Sequence, residues 1–161
     1  MEHLVSAVLG VERMTSKERE QLADDIHARQ PNLLYSVIVL HRFGATFAQI
    51  DVVLDLLFVF YEAMKISGRT WPVITEDVQD RCLKRIGGRS RFDEGLTPLQ
   101  QTQVTSDFIT DHPQQQLLAY LMGKFREHGL HGIESETEKM LMLVALNLVE
   151  CIAQTAPRTT G

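Results

Sequence analysis

Two long segments of this chain, 46–67 and 136–155, are apolar on most sides of a helix, and they constrain the fold more than any other feature. Each begins with a helix-start signal, since Thr46 stands three residues before Gln49 and Ser135 stands three before Glu138. A helix with so few polar positions lies at the centre of a core or at a subunit interface. The sequence therefore predicts an all-α bundle with these two helices at its centre.

Shorter helical segments surround the two long ones. A capping-box pattern at Thr15 opens a helix that Pro31 ends, and Pro31 can itself open a second helix that runs to Phe43. Gly44 is placed to stop that helix in the left-handed conformation. Residues 1–14 form a weaker amphipathic segment that is broken at Gly10. About seven helices are expected in all.

The two halves of the chain resemble one another. A shift of 82 aligns residues 14–43 with 96–125, where five of thirty positions are identical. The identical pairs are Thr15/Thr97, Gln21/Gln103, Asp25/Asp107, Pro31/Pro113 and Phe43/Phe125. Six further residues in the second loop bring Glu62 opposite Glu150. This pattern predicts a compact bundle with an internal pseudo-two-fold duplication of a three-helix unit, although unrelated helical proteins can share the same helix–proline–helix order.

The duplication predicts one helical domain over residues 1–155. Repeat one spans about 14–68, a bridging region spans about 69–95, and repeat two spans about 96–155, while the polar tail 156–161 is expected to be disordered. Within the bridging region, Thr75 caps a helix that the pair Gly87–Gly88 is expected to end.

Charge and cysteine content narrow the function classes. The formal net charge of the 161 residues is −5, which does not favour general affinity for nucleic acid. The two cysteines lie far apart in helical patterns, so they are expected to be reduced, packed thiols. No signal peptide and no apolar run long enough to span a bilayer is visible. The sequence thus predicts a cytoplasmic protein without membrane partners.

A basic cluster is the first candidate binding site. It surrounds Gly87–Gly88 and consists of Arg81, Lys84, Arg85, Arg89 and Arg91. Cations beside a glycine-flanked backbone can hold a phosphate or a nucleic-acid backbone. No phosphate-loop pattern accompanies them, and the same cations suit the C-terminal end of a solvated helix.

Two groups of residues could ligate a metal ion. Asp51, Asp55 and Glu62 fall within about 40° of arc on one helix, and Glu150 is the counterpart of Glu62 in the second repeat. His128 and His131 stand in a loop with flanking carboxylates, a spacing compatible with zinc. The alternatives are a narrow solvated stripe for the carboxylates and a surface loop for the histidines.

No catalytic residue is identified, because the chain has no nucleophile elbow, dinucleotide turn or Ser/His/Asp order. No cofactor is predicted. The favoured function is a non-enzymatic interaction or scaffold protein that binds another protein or a second copy of itself through its most apolar helix. A phosphate or nucleic-acid backbone binder and a metal-dependent enzyme are the alternatives.

Overall fold

The computed structural model describes residues 2–93, 97, 99–100 and 110–157, with the backbone alone for residues 2 and 88–93. These residues form seven α-helices and one 3-10 helix and contain no strand, which confirms the all-α prediction. The α-helices are α1 (Glu2–Glu12), α2 (Ser16–Arg29), α3 (Pro31–Ile38), α4 (Phe47–Ile66), α5 (Glu76–Asp93), α6 (Gln115–Glu127) and α7 (Glu136–Thr155), and the 3-10 helix is Val39–Phe43.

The predicted helix starts are present as hydrogen-bonded caps. At the start of α4 the hydroxyl of Thr46 accepts from the backbone N–H of Gln49 at 3.1 Å, and the Gln49 side chain accepts from the Thr46 N–H at 3.0 Å. Thr15 forms the same reciprocal box with Glu18 at the start of α2. Each cap satisfies backbone donors that the first turn of a helix leaves unpaired.

The observed helix ends agree less well with the sequence predictions than the helix starts do. Gly44 ends the 3-10 helix with a φ of +85°, as expected for a left-handed cap. Helix α1, however, passes through Gly10, and α5 passes through Gly87–Gly88 to Asp93, so the breaks predicted at these glycines are wrong. A glycine inside a helix costs only about 1 kcal/mol, and it stops the helix only where the chain enters the left-handed region.

Helix α4 is the centre of the core. Nine of its side chains are buried, and it packs against α1, α2, α3, α6 and α7. The buried residues are Val52, Val53, Leu56, Leu57, Phe58, Val59, Phe60, Tyr61 and Met64. Most of the apolar surface of α4 is therefore covered within a single copy, whereas Phe47 and Ile66 at its two ends remain exposed.

Polar contacts fix α2 against α4. Arg19 forms an ion pair with Asp55, and its guanidinium lies 5.0 Å from the ring centre of Phe58. The hydroxyl of Tyr61 donates to the carboxylate of Asp25 at 2.6 Å. Burial, together with this hydrogen bond, raises the pKa of Tyr61 well above its usual range, so the phenol stays a donor.

The two-fold relation between the halves remains a prediction. Helices α4 and α7, which each have 20 residues, do pack against one another. Residues 101–109, which would supply much of the first helix of repeat two, lie outside the described residues, as do residues 158–161 of the predicted tail.

None of the described helices combines the length and the apolar character that crossing a membrane requires.

The left-handed cap at Gly44 provides a test of this local structure. A Cβ at residue 44 would require strained backbone and would lie 3.3 Å from the hydroxyl oxygen of Thr137. Gly44→Ala should lower the free energy of unfolding by about 1–2 kcal/mol in urea denaturation. Gly10→Ala is the control, since Gly10 is helical with open space around it, and this change should leave stability unchanged or raise it by up to about 1 kcal/mol. Equal effects of the two changes would contradict the assignment.

Candidate functional site

The basic cluster lies on a helix rather than around a loop. Arg81, Lys84 and Arg85 are exposed on α5, whereas the side chains of Arg89 and Arg91 lie outside the described part. Because α5 continues through Gly87–Gly88, backbone N–H groups there serve helical hydrogen bonds. The phosphate cradle that the glycines suggested is therefore not formed by the backbone, and the cations alone remain as a candidate anion site.

The carboxylates of the acidic stripe have different partners. Asp55 pairs with Arg19, Glu62 pairs with Lys65 at 3.3 Å, and Asp51 is exposed. Glu150 instead meets His112 and Arg85. Among the residues that the structure describes, no three His, Cys, Asp or Glu side chains form a group that could hold a metal ion.

The histidine loop lies at the surface between α6 and α7. His128 and His131 are both exposed, and the buried member of the loop is Leu130, whose N–H donates to the carbonyl of Phe125 at 2.8 Å. This hydrogen bond and the left-handed Gly129 shape a helix end. The loop geometry is thus explained by helix termination.

A buried polar site joins α5, α6 and α7, and sequence reasoning missed its histidine. His112 lies just before α6, and its Nε2 is 2.5 Å from Oε1 of Glu150 on α7. The other carboxylate oxygen of Glu150 lies 3.9 Å from a guanidinium nitrogen of Arg85 on α5. His112 and Glu150 are both buried, so this carboxylate holds three elements together out of contact with most of the solvent.

The hydrogen bonds of His112 define its tautomer. The backbone N–H of Gln114 donates to Nδ1 at 3.0 Å, so Nδ1 carries no proton. Nε2 therefore carries the proton and donates to Glu150. Because both ring nitrogens of His112 form hydrogen bonds, the orientation of the imidazole is fixed. The ring thereby positions the start of α6 relative to Glu150.

A polar seam continues from this site along the interface of α5 and α7. The side-chain amide of Asn147 donates to the carbonyl of Gln79 at 3.2 Å, while its carbonyl oxygen Oδ1 is buried with no hydrogen-bond partner among the described residues. One helical turn further, the thiols of Cys82 and Cys151 are both buried, and burial raises the pKa of each. We call these contacts, together with Arg85 and Glu150, the α5–α7 seam.

One sequence signal could have found His112. Under the shift of 82 it is the counterpart of Gln30, and each residue stands directly before a proline that lies at or shortly before the start of a helix. Gln30 is also buried and polar, and its amide bonds to the backbone at Pro72 and Ile74. A polar residue placed before such a proline forms hydrogen bonds with groups of neighbouring segments that would otherwise be buried without a partner.

An exposed apolar surface lies at the opposite end of α4. Phe43 is 49% exposed, Phe47 is 87% exposed and Ile133 is 44% exposed. The carbonyl of Phe43 accepts from the hydroxyl of Thr137 at 2.8 Å, which brings the end of the 3-10 helix against the start of α7. We call the surface formed by Phe43, Phe47 and Ile133 the apolar corner.

Ile133 has an unfavourable backbone conformation. Its φ is +37°, and among the described residues it is the one non-glycine with a positive φ. A β-branched side chain in this region is an outlier that costs roughly 1–3 kcal/mol. The chain therefore holds a large apolar side chain at the corner although a glycine or asparagine would fit the backbone better.

Two crevices in the described structure are small. One, of about 180 Å³, is lined by residues that include Arg19, Asp55 and Tyr120, and the other, of about 220 Å³, includes Arg69, Trp71 and Gln114. Pockets that enclose a drug-sized molecule usually measure roughly 300–1,000 Å³.

The buried carboxylate of Glu150 should matter far more for stability than its counterpart at residue 62. Glu150→Ala removes the acceptor of a buried N–H and should lower the free energy of unfolding by about 3 kcal/mol. Glu62→Ala breaks only a pair with the half-exposed Lys65 and should cost about 1 kcal/mol or less. Urea denaturation of both variants measures the difference, and similar costs would show that the His112–Glu150 pair contributes little.

Comparisons with known protein families, with characterised proteins and with solved structures find no match to this chain, so its function is inferred from these surfaces and contacts alone.

Proposed function

We propose that this protein is a non-enzymatic interaction protein that self-associates through the apolar corner. The observation that carries the proposal is Phe47, a large aromatic side chain that is 87% exposed, while the exposed Phe43 and Ile133 belong to the two segments that the Thr137–Phe43 hydrogen bond joins. Aromatic side chains are enriched at the centres of protein interfaces, where they supply much of the binding free energy. Contiguous exposed apolar surface on a folded protein usually marks such a site.

The strain at Ile133 supports the same surface. Backbone outliers are retained where a function requires the side chain that causes them. Ile133 is exposed, so it gains little stability from packing within its own chain. Its presence at a positive φ is explained if the side chain is buried by a partner.

Charges around the corner favour a second copy as the partner. Arg42 precedes Phe43 on one of the two segments that meet there, while Glu134 and Glu136 flank the start of α7 on the other. In a two-fold symmetric dimer the same patch meets itself. The cation of one copy then faces the carboxylates of the other, so the rim is self-complementary and its contribution falls with added salt.

The remaining surfaces give weaker support to other functions. The crevices are smaller than usual ligand pockets, and the predicted metal-ligating residues lie in separate contacts of the described structure. The exposed cations of α5 offer an anion surface, but Arg85 is directed toward Glu150 at one end of it.

Substitution of Phe47 tests the interface directly. Phe47→Ala should weaken self-association at least about tenfold, because a central aromatic contact is lost, while monomer stability changes little at so exposed a position. Sedimentation velocity over a concentration series gives the dissociation constant. Wild-type protein that stays monomeric throughout the series would contradict the proposal.

Val5→Ala is the matched control for that experiment. Val5 is also exposed, at 51%, but it lies on α1 near the C-terminal end of α4, since its neighbour Leu4 lines one crevice together with Met64 and Ser67. That end is about 25 Å from Phe47 at the rise of 1.5 Å per helical residue. Association should be unchanged in this variant.

The substitution Ile133→Asn should change the stability of the monomer and the strength of self-association in opposite directions. Asparagine tolerates a positive φ, so the free energy of unfolding should rise by about 1 kcal/mol when measured at a concentration where the protein is monomeric. Self-association should weaken at the same time. Ile66→Asn, at an exposed isoleucine within α4, should give no gain in stability and no loss of association. A less stable Ile133→Asn variant would argue that Ile133 serves the fold instead.

A further inference from the structure

A crevice at the C-terminal end of α4 lies apart from the surface proposed for self-association. It has a volume of about 220 Å³, and residues of α1, α4, α6, α7 and the segment that connects α4 to α5 line it. Its floor is apolar and buried, whereas polar side chains and the guanidinium of Arg69 stand around it. We propose that this crevice binds a short-chain carboxylate, with the carboxylate group at Arg69 and the alkyl chain on the apolar floor.

The charged side chains of this crevice favour an anion. Arg69 and His3 line it, and none of the described residues around it is an aspartate or a glutamate. The other crevice differs, because two carboxylates and two cations line it together. The start of α6 adds to the positive sign, since Gln114 is its N-cap and the N-terminus of a helix carries a partial positive charge.

Most hydrogen-bond donors of Arg69 are available to a ligand. One guanidinium N–H donates to the carbonyl of Pro157 at 3.5 Å, at the long end of the hydrogen-bond range. A guanidinium has five N–H groups, and a carboxylate can accept two of them in a bidentate pair. The side-chain amides of Gln114 and Gln116 are half-buried in the same crevice and form no hydrogen bond with the described residues, so they can donate as well.

The floor of the crevice suits an alkyl chain of limited length. Its buried apolar side chains are Phe60, Met64, Leu117 and Ile152. Each methylene group that a ligand buries there should strengthen binding by about fourfold. The volume of 220 Å³ equals that of about seven water molecules, which leaves room for a carboxylate of about six carbon atoms.

Trp71 provides a signal from within the crevice. It is the only tryptophan of the chain, and it is half-buried among the lining residues. Its indole N–H donates to the carbonyl of Ile152 at 3.4 Å, which holds the ring beside the apolar floor. The fluorescence of Trp71 therefore reports occupancy of this crevice.

Titration of the full-length protein with hexanoate, hexanol and hexylammonium tests the ligand class. Hexanoate should change the fluorescence of Trp71 in a saturable manner, with one site per chain by calorimetry, and should bind at least about tenfold more tightly than the other two compounds. Butyrate should bind about tenfold more weakly than hexanoate because it buries two fewer methylene groups. Octanoate should gain less than about threefold over hexanoate, since its chain extends beyond the crevice.

Three outcomes of this titration would overturn the proposal. The first is equal affinity for hexylammonium and hexanoate, which would remove the preference for an anion. The second is a further tenfold gain with octanoate, which would indicate adsorption to apolar surface in general. The third is the lack of a saturable response to hexanoate in both fluorescence and calorimetry.

Arg69→Gln tests the carboxylate contact separately from the shape of the crevice. This change should weaken hexanoate binding at least about tenfold and leave hexanol binding unchanged, because the apolar floor is intact. Arg126→Gln is the matched control, since Arg126 is exposed on α6 and does not line the crevice. An equal loss of hexanoate and hexanol binding in Arg69→Gln, or no loss of either, would contradict the assigned contact.

Ala63→Leu tests the position of the site independently of charge. Ala63 is half-buried and lines the crevice from α4, and leucine there occupies part of the volume without lowering helix propensity by much. Binding of hexanoate and hexanol should both fall at least about fivefold, because the space for the alkyl chain is filled. Circular dichroism establishes that the variant is folded. Unchanged binding in this folded variant would place the ligand elsewhere and would refute the proposal.

Discussion

Burial of α4 is the constraint on which the rest of the molecule depends. A 20-residue helix with nine buried side chains can be stable in water only if other helices cover it from several directions, and α1, α2, α3, α6 and α7 do so. Once these helices are placed by that requirement, α5 has little apolar surface left to cover and packs chiefly against α7. The strongly apolar centre therefore explains why α5 packs chiefly against a single neighbour.

Two of the buried polar side chains, Gln30 and His112, lie where helices meet at their ends. Gln30 satisfies the backbone at Pro72 and Ile74, and His112 connects the start of α6 to Glu150. A buried polar contact of this kind gives little net stability compared with apolar packing, but it permits one arrangement of its partners and penalises others. The positions of α5 and α6 relative to α7 are specified in this way.

Local features of the fold could be read from the sequence, whereas features made by distant residues could not. The caps at Thr15, Thr46 and Ser135 and the left-handed Gly44 depend on side chains a few residues apart, and the structure contains all of them. The stop expected at Gly87–Gly88 failed because glycine permits a helix end without requiring one. The histidine partner of Glu150 leaves no local pattern, since it is 38 residues away in the chain and meets Glu150 only when their helices pack, and no sequence pattern marks the positive φ of Ile133.

The hydrogen bond between Thr137 and the carbonyl of Phe43 joins residues that are 94 positions apart. Contacts of such large sequence separation require closure of a long loop, and they form only after the intervening elements have found their places. No fragment of the chain that lacks α7 can bring the end of the 3-10 helix against the segment that carries Ile133. The apolar corner is thus a feature of the completely folded polypeptide. A partner that binds there distinguishes the folded protein from nascent or partly unfolded chains.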